Sequence, residues 1–160
     1  MARFNQQNTT KFHLDGAPEE SFLMLGYEAS EVECTLAIAD YTLAAWKLGI
    51  TPAAFVRDHN PMYATGARLL EGTITPLTAF DPGRANILVI NNSCLPYVEH
   101  GQNLLGVMHQ ATIAKPDPAK RRIINSTMMR SAASIAEESL TLAQQQAYVV
   151  TSEISGSSAY

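Results

Sequence analysis

A chain of 160 residues and 17.4 kDa suffices for one ordinary domain with its own core and is too short for two. Its 11 basic and 15 acidic side chains leave a net charge of −4, which argues against a protein whose affinity rests on neutralising nucleic-acid phosphates. Charged residues make up only 16% of the chain, below the usual share of about a quarter, and such a composition suits a surface partly covered by neighbouring subunits.

No apolar run approaches the roughly 20 residues of a membrane helix, and no apolar signal segment follows the opening Met-Ala-Arg-Phe-Asn-Gln-Gln-Asn. Two cysteines, Cys34 and Cys94, make neither a disulfide framework nor a zinc site. Synthesis in a reducing cytoplasm is the expectation.

Residues 1–30 are polar, carry Asp15-Gly16-Ala17-Pro18 and hold no sustained period. They read as an extended arm with a short strand around Phe12–Leu14 and a short apolar anchor around Phe22–Leu25. From Ser30 a helix is expected, because Ser30 and Glu33 have the spacing of a capping box. Val32, Leu36, Ala39, Leu43, Trp46 and Ile50 then follow at spacings of three and four, one apolar stripe over 31–48 with Gly49 as its stop. Thr51-Pro52 opens a second, short helix with Thr as N-cap, burying Phe55 and Val56.

Beyond Asn60-Pro61, residues 67–79 read as extended, bent by Gly72 and Pro76. Asp81-Pro82-Gly83-Arg84 is a turn, with Gly83 at a position that accepts a positive φ, and Asn86–Asn91 is a nearly continuous apolar strand, buried on one side or on both. The two extended stretches are expected to pair as an antiparallel hairpin. Residues 97–114 fit a helix from Asn103 or a further strand, and periodicity does not decide between them. After the Lys115-Pro116-Asp117-Pro118 break, residues 131–147 read as a helix and 148–154 as β-favouring.

The expected fold class is therefore α+β: a long N-terminal helix packed on an antiparallel β-sheet, an extended N-terminal arm, and a C-terminal helix with a β-prone tail. The divisions are 1–30 for the arm, 31–114 for the core and 115–160 for the C-terminal part. Val32, Leu36, Leu43, Trp46, Phe55, Leu69, Ile74, Leu88, Ile90 and Tyr97 are the expected core.

Catalytic material is sparse. No His-Glu-x-x-His, P-loop, G-x-G-x-x-G or Cys-x-x-Cys occurs, and His13, His59, His100 and His109 are scattered. The one Cys–His pair close in sequence, Cys94 and His100, supports an alternative reading as a small cytoplasmic enzyme or toxin-like factor using Glu99 as well. Adjacent residues on a regular element point apart, so Glu99-His100 is a poor metal pair. No enzyme activity, cofactor or metal is expected.

Charge is distributed unevenly. Lys115, Lys120, Arg121, Arg122 and Arg130 cluster late in the chain, while Asp15, Glu19, Glu20, Glu28, Glu31 and Glu33 cluster early. Such opposite ends suit head-to-tail contact between copies, with Glu19, Glu20, Glu31, Lys120, Arg121 and Arg122 as candidate inter-subunit charges. A non-catalytic adaptor that binds one host protein through its arms is a further alternative.

Two local patterns carry a resemblance. The first is Pro61-Met62-Tyr63-Ala64-Thr65-Gly66-Ala67-Arg68-Leu69, and the second is Asn91-Asn92 followed by Tyr97-Val98-Glu99-His100-Gly101. In order and spacing they resemble the tail-completion or neck family of tailed bacteriophages, whose members open with a long helix. The motif residues here are Pro61, Thr65, Gly66, Asn91, Asn92, Tyr97, Val98, Glu99 and Gly101. One extra residue separates Pro61 from Thr65, Ala64 replaces an acid, and His100 replaces an aromatic.

The resemblance implies a structural virion protein, made in the host cytoplasm, that joins head to tail as a ring. It implies about six copies, or about twelve, closing by a repeated heterologous contact. Its neighbours would be head-closure or adaptor and tail-tube proteins. DNA would pass without being tightly bound, and no membrane would be involved.

Overall fold

The computed structural model describes residues 2–16, 21–93, 97–99, 102–104, 106–130 and 141–150. Two antiparallel sheets form the body. The larger has the order β1 (Ala2–Asn5), β9 (Ile123–Arg130), β2 (Ser21–Tyr27), β5 (Asn86–Asn91). The smaller has the order β4 (Ile74–Pro76), β3 (Cys34–Ala39), β8 (Met108–Ile113). A separate ribbon joins β6 (Tyr97–Glu99) to β7 (Gln102–Leu104). The helices are α1 (Tyr41–Lys47), α2 (Pro52–Asp58), α3 (Ala64–Leu70) and α4 (Leu142–Val150).

Alternation explains the sheets. In β2, Leu23, Leu25 and Tyr27 point inward, and Ile90 and Ile124 of the paired strands join them against Leu36 and Ala111 of the smaller sheet. A second cluster sits under the helices, with Tyr41, Ala44, Ala45, Phe55 and Leu70 packed on Phe12, Ala39 and Met108. These two clusters, rather than one helix on one sheet, organise the chain.

The long helix over 31–48 is not present. Residues 31–36 alternate, with Val32, Cys34 and Leu36 buried and Glu31, Glu33 and Thr35 exposed, so the first half of the stretch is β3 and its approach. Val32, Leu36 and Ala39 fit both a helical stripe and this alternation in part. Pairing of β3 with both β4 and β8 decides the matter. Ser30 does not close a capping box: its hydroxyl accepts from Val32 N at 3.0 Å and donates to the Arg121 carbonyl at 2.7 Å.

Helix α1 starts at its own cap. The Asp40 carboxylate accepts from Leu43 N and from the Thr42 hydroxyl, each at 2.8 Å. Its end lies where expected, with Gly49 at φ +70° just past the last turn. Trp46, expected in the core, is 76% exposed. Helix α2 forms as its sequence indicates, capped by the Thr51 hydroxyl on Ala54 N at 3.1 Å with Pro52 at the first position. Phe55 is fully buried.

The stretch 67–79 is mostly helical: α3, then a 3₁₀ turn over Glu71–Thr73, and only Ile74–Pro76 extended. No hairpin joins it to β5, because β4 pairs with β3 while β5 pairs with β2. Gly66 lets α3 pack closely on the loop before it: a Cβ would stand 2.3 Å from the His59 carbonyl oxygen and 2.5 Å from that of Asn60. Leu69 and Ile74 are consequently surface residues. The Asp81–Arg84 turn closes as expected, Arg84 N donating to the Asp81 carbonyl at 3.1 Å, but the described glycines with positive φ are Gly16 and Gly49, not Gly83.

The expected N-terminal arm is part of the sheet, and β2 lies between β9 and β5. Residues 108–113 resolve the open alternative in favour of a strand. Residues 142–150 are helical, so Tyr148, Val149 and Val150 are not extended. Residues 131–140 and 151–154 lie outside the described residues.

Candidate functional site

The Phe12–Leu14 segment runs against β8. His13 N donates to the His109 carbonyl at 3.2 Å, and His109 N donates back to the His13 carbonyl at 3.1 Å. Residues that exchange both bonds carry their side chains on one side of the ribbon. The two imidazole rings accordingly lie 4.3 Å apart, centre to centre. In an extended segment residue i+2 faces the same way, which brings Asp15 to the rings.

Asp15 Oδ1 lies 3.3 Å from His13 Nε2 and 3.9 Å from His109 Nε2. Ligand atoms of all three residues lie within 4.8 Å of one another. The Asp15 main chain is fixed by Asn92, which is fully buried: Asp15 N donates to Asn92 Oδ1 at 3.0 Å, and Asn92 Nδ2 donates to the Asp15 carbonyl at 2.8 Å. Asn92 is held in turn by its own N–H on the Ser21 carbonyl at 2.9 Å.

The two rings differ in their surroundings. His13 Nδ1 is 2.7 Å from the Lys11 carbonyl, which only accepts, so the proton resides on Nδ1 and the Nε2 side faces Asp15. Burial alone would lower the His13 pKa, but the Asp15 hydrogen bond, the Lys11 carbonyl and the Asp15 charge outweigh it and raise it. Burial pushes His109 down to about 4, helped by the neighbouring His13 and opposed by Asp15. Burial raises the Asp15 carboxyl, yet the hydrogen bond to His13 and the two imidazole charges bring it below the usual carboxylate range. Among the described residues no hydrogen bond reaches either nitrogen of the His109 ring: Nδ1 is buried without a partner, and Nε2 stands beyond hydrogen-bonding distance of Asp15.

The outer face of the larger sheet is the second notable feature. Ile87 is 74% exposed and Val89 54%, both on the edge strand β5. Met24 pairs with Val89 and Phe22 with Met129, so apolar pairs in two neighbouring rows share the face of β9, β2 and β5 away from the core. Asn92 N bonding the Ser21 carbonyl sets the ladder phase, and the main-chain groups of Ile87 and Val89 therefore point away from β2. Among the described residues those groups have no partner.

The residues singled out from sequence are dispersed. Pro61 is buried in the turn before α3, Thr65 and Gly66 lie within α3, and Tyr97, Val98 and Glu99 form β6. Asn91 ends β5 and its side chain accepts from Ser93 N at 3.1 Å, the strand-terminating role its type suggests. Cys94, His100, Gly101, Glu19 and Glu20 lie outside the described residues. Glu31 and Lys120 form an exposed ion pair within one chain, at 3.3 Å. Arg121 is exposed.

Arg122 is only 2% exposed and lies inside the subunit, donating from Nη1 to the Gln6 carbonyl at 3.0 Å and from Nε to Cys34 Sγ at 3.3 Å. It is therefore not a surface charge. The His13-x-Asp15 spacing was visible in the sequence as two metal-ligating types on one face of an extended segment. His109 and Asn92 carried no such signal, since only strand pairing brings them there.

Among the described residues no helix is long and apolar enough to cross a membrane. No family model, curated protein or solved structure matches this chain.

Proposed function

We propose that this chain is a structural subunit that assembles with copies of itself, through the open β5 edge and its apolar face, into a ring. The observation that carries the reading is the exposure of Ile87 and Val89 together with an outward main chain that, among the described residues, has no partner. An edge of this kind invites a further strand. The larger sheet alternates strictly, so a second copy presenting its opposite edge strand, β1, beside β5 continues the antiparallel order. That contact is heterologous, and repeated through a closing rotation it makes a ring.

The two sequence patterns extend the proposal to a place: the neck of a tailed bacteriophage, joining head to tail as a tail-completion or terminator-type ring. The long opening helix of that family is absent here, so the extension rests on the Pro61–Leu69 and Asn91–Gly101 patterns alone. A net charge of −4 suits a passage that DNA crosses without being held. On this reading the chain is not an enzyme, and its partners are its own copies and the adjoining head-side and tail-tube proteins.

The test is light scattering and electron microscopy of the purified chain at high micromolar concentration. A closed ring is expected from the wild type, and dissociation to folded monomers from the double variant Ile87→Lys, Val89→Lys. A wild type that remains monomeric overturns the proposal, as does a double variant that assembles unchanged.

A further inference from the structure

We propose that His13, Asp15 and His109 form a binding site for a borderline divalent metal ion, zinc foremost. The inference is independent of ring assembly and starts from lone pairs. With its proton held on Nδ1 by the Lys11 carbonyl, neutral His13 directs the Nε2 lone pair at Asp15 Oδ1, 3.3 Å away. In imidazolium His13 a proton fills this gap as the hydrogen bond to Asp15, and in the neutral ring a metal cation can take the place of that proton. His109 adds a third donor from the same side, Nε2 at 3.9 Å from the same oxygen, on a ring that no hydrogen bond in the described residues orients.

The dimensions suit zinc. Bonds of about 2.0–2.1 Å in tetrahedral geometry put ligand atoms roughly 3.3–3.4 Å apart. The His13–Asp15 separation already has this value, and His109 has about half an ångström to close. Two imidazoles and one carboxylate select zinc and its first-row neighbours over magnesium or calcium, which prefer oxygen-rich shells. A water would complete the coordination.

The surroundings have the outer support that metal sites use. Lys11 fixes the tautomer of His13, and Asn92 fixes the main chain of Asp15 from a fully buried position. All three ligand side chains are more than four-fifths buried yet not sealed. A bound ion would tie the segment before β2 to β8, so binding and folding would be linked.

The experiment is calorimetric titration of chelator-treated full-length protein with zinc, with Co²⁺ absorption as a second readout and magnesium as the control ion. One zinc per chain is expected, with a rise in melting temperature and visible Co²⁺ bands of a histidine-bound site. Asp15→Asn and His13→Gln, both at part-exposed positions, should each weaken zinc by at least about tenfold and abolish the thermal shift. His59→Gln should leave both unchanged. Absence of saturable zinc binding, equal affinity in the Asp15→Asn and His13→Gln variants, or magnesium binding as tight as zinc would each overturn the assignment.

Discussion

Asn92 grips Asp15 by both of its main-chain groups, accepting from the N–H at 3.0 Å and donating to the carbonyl at 2.8 Å. One buried amide thus joins the end of β5 to the segment that carries His13 and Asp15. Asn92→Ala leaves the Asp15 N–H and carbonyl without these partners. The expected loss is about 1–3 kcal/mol of unfolding free energy, read from urea denaturation. A loss below about 0.5 kcal/mol would mean that the clamp contributes no more than an ordinary surface contact.

Gly66 and Gly72 should respond oppositely to alanine. At Gly66 the new Cβ meets two backbone carbonyls at 2.3 and 2.5 Å, which cannot rotate away, whereas at Gly72 nothing lies within 4 Å. Gly66→Ala is expected to cost more than about 2 kcal/mol. Gly72→Ala should be neutral or stabilising by up to about 1 kcal/mol, by restricting the unfolded chain. Thermal melts of the two variants decide it, and equal melting temperatures would contradict the packing described for α3.

Trp46 and Phe55 separate the helical stripe expected from sequence from the structure observed. With Trp46 76% exposed and Phe55 fully buried, Trp46→Ala should change stability by less than about 0.5 kcal/mol. Phe55→Ala should cost about 3–5 kcal/mol through the cavity it leaves under α1 and α2. Trp46 fluorescence in the folded wild type should also be that of a solvent-exposed indole; a blue-shifted emission would place the ring in a covered environment.

Tyr27 predicts an alkaline weakness. Burial pushes its phenol up to about 12, against the pull of Arg122, whose guanidinium lies 5.4 Å from the ring centre. In the unfolded chain the same phenol ionises near pH 10. Between those values the folded state holds a proton that the unfolded state has released. Stability should therefore fall as pH rises through this window, by about 1.4 kcal/mol per pH unit at most. Below pH 10 this contribution is fully present. Tyr27→Phe removes the ionisation, so its stability relative to wild type should improve steadily above pH 10. A difference between the two that stays constant from pH 8 to pH 11 would refute the buried, neutral phenol.

Local chemistry made several elements legible. Gly49 ends α1, Thr51-Pro52 opens α2, and the apolar run Asn86–Asn91 is a strand, because each signal acts within a turn or two of chain. The misreading of 31–48 has a definite cause. Spacings of three and four tie Leu36, Ala39 and Leu43 into a helical stripe, while the competing alternation of Val32, Cys34 and Leu36 depends on counting a cysteine as a core residue. Asp40 was the hidden boundary, since a cap inside an apparently continuous stripe looks like any other polar residue. At the site, His13 and Asp15 show their shared face by spacing alone.

Short-range signals were enough to place the end of α1 at Gly49 and the start of α2 at Thr51-Pro52, but the long helix on one antiparallel sheet that the sequence suggested is replaced by short helices and two sheets. Which strand lies beside which was settled only by long-range pairing, because hydrogen bonds between distant segments leave no mark on either segment alone. That pairing sets His109 against His13, seats Asn92 on Asp15, buries Arg122 and, among the described residues, leaves Ile87 and Val89 on an edge strand. The proposed metal site and the proposed assembly edge are therefore properties of register, which the packing of two apolar sheet faces selects from several that the local sequence would tolerate.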